Sequence, residues 1–225
     1  SIKINGVDTS SWLSSTGQNF DVAIPIPSNG IVKVEAADTW GNLADPVEVR
    51  LASNISLGIE KISVGYGDVC AIKNSNLKCL GNNFYGQLGD GTIDDTNQFH
   101  NVIGIANGVT DVATADNHTC AVVDGVVKCW GSNSYGELGN NSTSFRVTSP
   151  VLVSNIASGA TAVSLGYNHS CTIINGGVKC WGANYFGQLG DGTTNDSLVP
   201  ISVIGLETGV KQITSGYFHN CATLE

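Results

Sequence analysis

The 225-residue sequence contains no methionine, only 5 prolines, and charged residues over just 13% of its length. So few charges beside 41% hydrophobic residues suit a packed globular chain rather than a disordered one. Basic residues are scarce: 10 Lys and Arg face 19 Asp and Glu, a net charge of −9. Such a surface repels phosphate backbones, so no nucleic-acid partner is expected. No apolar run approaches the roughly 20 residues that cross a bilayer and no signal peptide is visible, so no membrane span is expected. No stretch holds a 3.6-residue apolar period, which argues against helices. Nucleophile elbows, His-Glu-x-x-His pairs and phosphate loops are missing. The expectation is a non-enzyme with no catalytic residue, cofactor or metal. The lack of an initiator methionine points to a longer precursor.

What the sequence does have is 28 glycines, 7 cysteines and an internal repeat. Gly65-Tyr66-Gly67-Asp68-Val69-Cys70 aligns with Ala115-Asp116-Asn117-His118-Thr119-Cys120 and Gly166-Tyr167-Asn168-His169-Ser170-Cys171. A fourth copy opens at Gly216-Tyr217-Phe218-His219-Asn220-Cys221. Downstream come Cys79-Leu80-Gly81, Cys129-Trp130-Gly131 or Cys180-Trp181-Gly182, then Gly86-Gln87-Leu88-Gly89, Gly136-Glu137-Leu138-Gly139 or Gly187-Gln188-Leu189-Gly190. A period near 50 residues, built of short apolar runs and glycine turns, predicts β-propeller blades.

Each full copy holds one Cys-x8-Cys pair. Between Cys120 and Cys129 lies Asp124-Gly125, a strong signal for a two-residue type I′ hairpin turn. Centring the turn there places Cys120 opposite Cys129 on a non-hydrogen-bonded pair, where Cα atoms stand about 4.5 Å apart and a disulfide can close. Asn175-Gly176 does the same for Cys171 and Cys180, and the weaker Asn74-Ser75 for Cys70 and Cys79. Zinc is disfavoured, because this spacing lacks a second ligand pair. Three disulfides predict an oxidising location: extracellular, cell-surface or periplasmic. Cys221 is left without a mate.

These motifs resemble the regulator of chromosome condensation repeat family over residues 57–225. The resemblance implies blades of a seven-bladed propeller, of which this chain supplies three and the start of a fourth, as part of a longer parent. The repeats are placed at 61–110, 111–161, 162–211 and 212–225, after a linker over 53–60. Half a propeller leaves two sheet faces uncovered, so self-association through them is a further expectation. Residues 1–52 lack these motifs. Alternating runs at 2–7, 20–26, 31–36 and 47–51 predict a β-sandwich fragment similar to bacterial immunoglobulin-like modules. The fold class expected is therefore all-β: a partial propeller behind an immunoglobulin-like fragment.

His118, His169 and His219 share one repeat slot with Asp68. Each imidazole is expected to satisfy backbone groups within its own blade rather than bind metal, a placement the resemblance also favours. Trp130 and Trp181, replaced by Leu80 in the first copy, read as packing residues. Asp90-Gly91-Thr92 and Asp191-Gly192-Thr193 read as turns rather than calcium loops. Function is expected to be recognition of a macromolecule, a protein in preference to a glycan, through connections that vary between repeats. Residues 92–100 and 140–149 vary most, with Phe99 and Phe145 as candidate anchors. The alternatives are inhibition of an extracellular enzyme, and binding or hydrolysis of carbohydrate.

Overall fold

The computed structural model describes strands at residues 2–4, 7–8, 31–36 and 47–50 and the whole of residues 59–225. Two compact units are present, one holding the first four strands and one running from Glu60 to Glu225. In the first, β1 (Ile2–Ile4), β2 (Val7–Asp8), β3 (Ile31–Ala36) and β4 (Val47–Arg50) form an antiparallel sheet of order β2-β1-β3-β4. The strand expected at 20–26 lies outside the described residues.

The second unit repeats one device. β5 (Ile59–Val64), β6 (Asp68–Lys73), β7 (Asn76–Gly81) and β8 (Thr96–Asn101) make a four-stranded meander. A second sheet holds β9 (Val109–Thr114), β10 (His118–Val123), β11 (Val126–Asn133) and β12 (Ser144–Leu152). A third holds β13 (Ala160–Leu165), β14 (His169–Ile174), β15 (Gly177–Gly182) and β16 (Ser197–Ser202). β17 (Val210–Ser215) and β18 (Asn220–Leu224) begin a fourth. The described residues contain no helix, and the sheets have the form of propeller blades.

The hairpin registers follow from the turns. Asp124 and Gly125 take φ of 51° and 77°, as type I′ requires, and Val123 pairs with Val126 down to Cys120 with Cys129. Asn175-Gly176 repeats this. Asn74 and Ser75 also adopt positive φ (50° and 59°), so a serine accepts a conformation it disfavours because both flanking strands hold the register. Disulfides join Cys70–Cys79, Cys120–Cys129 and Cys171–Cys180 with Cα atoms 4.1 Å apart in each. Cys221 is a free, exposed cysteine.

The core lies between blades rather than within them. One cluster joins Cys70, Ile72, Leu77 and Leu88 of blade 1 to Val112, Ala121, Val123 and Trp130 of blade 2. A second joins Cys120, Val122, Val127 and Leu138 to Val163, Leu165 and Trp181 of blade 3. Because side chains alternate along a strand, even-numbered positions of β10 face blade 3 and odd-numbered ones face blade 1. Each disulfide therefore stands on the face turned towards the next blade.

Candidate functional site

The repeat motif is an inter-blade lock. In His118-Thr119-Cys120, the alternation sends His118 forward, Thr119 back and Cys120 forward again. Thr119 Oγ1 donates to the carbonyl of Gln87 in blade 1 at 2.9 Å, and the Trp130 indole N–H donates to the same carbonyl at 2.7 Å. At the next junction Ser170 Oγ and Trp181 Nε1 both donate to Glu137 O, at 2.7 and 2.8 Å. Asn220 Nδ2 takes the serine's place against Gln188 O at 2.7 Å. Trp130 and Trp181 are fully buried, so each adds both packing and a satisfied donor.

Here one expectation is corrected. The imidazoles bond across blades, not within their own: His118 Nε2 lies 2.9 Å from Ser170 Oγ, and His169 Nε2 lies 3.0 Å from Asn220 Oδ1. The hydroxyl hydrogen of Ser170 is committed to Glu137 O, so His118 Nε2 must carry the proton and donate. Burial, and then the neighbouring imidazole of His169, holds the pKa of His118 down to about 3. Burial lowers that of His169 to about 4, partly opposed by its bond to Asn220. Both rings are neutral at ordinary pH. Among the described residues no three His, Cys, Asp or Glu side chains gather in one cluster.

The Asp-Gly-Thr segments do turn chemistry. Asp90 Oδ1 accepts from Thr92 N, Thr92 Oγ1 and Asn83 Nδ2, at 3.0, 2.8 and 3.1 Å. Asp95 and Asp196 each accept a backbone N–H, from Asn83 and Asn184, at 2.7 Å. Glu137 is buried, with Ser132 Oγ and Tyr135 N donating to it at 2.7 Å, and burial outweighs these bonds to raise its pKa.

The variable segments are only partly loop. Residues 96–100 belong to β8 and 144–149 to β12, the outermost strands of their sheets, because both pair with the preceding strand. Phe99 is half-buried, lining an acidic cleft of about 580 Å3 with Asp90, Asp94, Asp95 and His100. Phe145 is 57% exposed. It sits edge-to-face on Phe84 at 6.1 Å and tilted on Tyr85 at 5.5 Å, although these residues belong to a different blade. The Arg146 guanidinium lies over both phenyl rings, at 5.8 and 5.7 Å, and donates to Phe84 O at 3.1 Å. Phe99 and Phe145 are thus not brought to one site.

The partners of Phe145 carry a sequence signal of their own. The two residues before each Gly-Gln/Glu-Leu-Gly are Phe84-Tyr85, Ser134-Tyr135 and Tyr185-Phe186, aromatic in five positions of six. In a meander the β5–β6 and β7–β8 connections leave the same end, so these residues and those of the first turns share one end of the blades. Tyr135 meets Tyr185 at 5.8 Å, Phe186 meets Phe218 at 4.7 Å, and Tyr217 stacks on Tyr167 at 4.2 Å. An aromatic crescent results, with Phe84, Tyr185 and Phe186 more than half exposed.

Residues 124–173 and 175–223 match the regulator of chromosome condensation (RCC1) repeat. Yeast RCC1 (Prp20), in a structure bound to Kap60, is similar over 88% of this chain and 50% of its own, with 17% identity and a TM-score of 0.69. A structure of Saccharomyces cerevisiae Prp20p, described with its binding to Gsp1p and histones, gives 18% identity, 85% and 51% coverage, and 0.69. Human WBSCR16 gives 19% identity, 82% and 52% coverage, and 0.66. The chain spans about half the length of these structures, and the likeness is one of fold.

Proposed function

We propose that this chain is a non-enzymatic recognition module of the RCC1-repeat type, which binds a protein through the aromatic end of its blades. The observation that carries this reading is the cluster of Phe84, Tyr85, Phe145 and Arg146, which bridges two blades and exposes more than half of both phenylalanines. Exposed aromatics with an arginine among them are the composition of binding hot spots. A protein is favoured over a glycan because the rings interlock at nearly right angles: 89° for Phe84 with Tyr85, 89° for Phe84 with Phe145, and 87° for Tyr135 with Tyr185. Edge-to-face packing in these pairs breaks up the flat platform on which sugar rings stack, and among the described residues only Tyr167 and Tyr217 lie nearly parallel. The protein partners of yeast Prp20 lend this reading support by analogy of fold alone.

Three disulfides further support work outside the reducing cytosol, in a secreted or surface-attached bacterial protein whose leading unit is immunoglobulin-like. The test immobilises the oxidised full chain, identifies bound protein from an extracellular fraction, and measures its affinity for Phe84→Ser, Phe145→Ser and Lys128→Ala. Each phenylalanine change is expected to weaken binding by roughly tenfold or more, and Lys128→Ala, beside the hairpin at the other end, to leave it unchanged. Full affinity in the Phe84→Ser/Phe145→Ser double variant, or signal on a glycan array instead, refutes the reading.

A further inference from the structure

The junction between blades 1 and 2 departs from the others at two positions at once. Where the later copies carry a histidine that bonds the next blade (His118, His169), blade 1 carries Asp68. Where three copies carry a tyrosine (Tyr66, Tyr167, Tyr217), blade 2 carries Asp116. Both replacements bear on this junction: an acid stands in the histidine slot of blade 1, and the charge of a second acid, Asp116, reaches it where the other copies carry a phenol.

Asp68 is 2% exposed, and neither of its oxygens has a hydrogen-bond partner among the described residues. Asp116 Oδ1 is likewise buried and unpartnered. Buried carboxylates normally collect donors, and one left bare pays its desolvation uncompensated. Burial first, and then the charge of Asp116, push the pKa of Asp68 well above the carboxylate range. Gly65 lacks a side chain, and the space its Cβ would fill is approached by both Asp68 Oδ1 and the carbonyl oxygen of Ala115, the residue before Asp116. Oxygens of two blades therefore converge on a cradle in which no described residue places a donor. Nitrogen and sulfur ligands are absent from this set, and all-oxygen sets select hard cations.

We propose that Asp68, Asp116 and the Ala115 carbonyl bind a calcium ion that bridges blades 1 and 2. Water completes the coordination from the side of Asp116, which is only half-buried. The ion does at this junction what the His118–Ser170 bond does at the next.

Unfolding of the full oxidised chain is measured in EDTA and in 10 mM calcium chloride. For a dissociation constant of about 10⁻⁴–10⁻³ M, calcium is expected to lower the unfolding equilibrium constant roughly 10- to 100-fold. Asp68→Asn abolishes that response, yet in EDTA it is as stable as the parent or more so, since an orphaned charge is gone. Asp116→Asn, at a position that reaches solvent, gives the same loss of response and stands in if Asp68→Asn does not fold. Terbium luminescence sensitised by the adjacent tyrosines is displaced by calcium and is lost in Asp116→Asn. Equal stability of the parent in EDTA and calcium, with Asp68→Asn more stable at pH 7, means that the pair holds a proton instead and overturns the proposal. A calcium response that survives both substitutions places the ion elsewhere and overturns it too.

Discussion

Replacing Gly139 by alanine tests the inter-blade lock. Gly139 closes the Gly-Glu-Leu-Gly segment with φ of +65°, and a Cβ there would stand 2.7 Å from Trp181 Nε1, 2.8 Å from Trp181 Cδ1 and 2.9 Å from Val153 Cγ1. The left-handed backbone alone costs an alanine about 1–2 kcal/mol. The indole must also retreat, which breaks its 2.8 Å bond to Glu137 O. The carbonyl still accepts from Ser170, so the orphaned group is the indole N–H, worth about 1–3 kcal/mol. The expected loss is roughly 2–5 kcal/mol. Gly205→Ala is the control, because its φ is +79° and nothing lies within 4 Å of the added carbon. It should cost only the backbone part, about 1–2 kcal/mol. Urea unfolding followed by tryptophan fluorescence reads both, and in a Trp181→Phe background the excess cost of Gly139→Ala should shrink as the coupled pair disappears. Equal losses at the two glycines would refute the idea that the repeat glycine makes room for the neighbouring blade's tryptophan.

Acid should loosen the blades near pH 6.5 rather than near 4. His118 and His169 have folded pKa values of about 3 and about 4, below the unfolded value of 6.5, so stability is complete above pH 6.5 and is lost as pH falls below it. The loss at pH 4 is roughly 3 kcal/mol for each, and in His118→Gln the unfolding midpoint should depend less on pH over this window. Without reductant the native protein should alkylate at Cys221 alone. Reducing all three disulfides should cost about 2–3 kcal/mol each and unfold the blades at 37 °C, whereas a fully alkylatable native protein would contradict the pairing. Glu137→Gln should be neutral or stabilising at pH 7, since Gln87 and Gln188 hold the same slot and accept the same backbone N–H without a buried charge. A loss above about 1 kcal/mol would show that the carboxylate itself is needed.

The repeat, the hairpin registers and the cysteine pairs were legible in the sequence because each rests on local chemistry. Asp124-Gly125 sets a turn, and the period of two then carries Cys120 opposite Cys129 without further information. The destinations of His118, Thr119 and Trp130 were not legible. Their partners are a hydroxyl 52 residues away and a backbone carbonyl 32 and 43 residues away, and a carbonyl has no residue type to mark it. The aromatic crescent was not legible for a related reason. Phe84 and Phe145 come from neighbouring blades, and only the stacking of sheets brings them within 6.1 Å.

The backward-facing donors Thr119 and Trp130 give the array a direction. Splicing a second copy of blade 2 behind the first would create a seam whose carbonyl, Glu137 O, finds a threonine hydroxyl and an indole already in place. Doubling blade 1 would not, because Val69 and Leu80 fill those two slots with hydrocarbon. Lengthening of such a chain by unequal recombination should therefore succeed from its middle units and fail from its first.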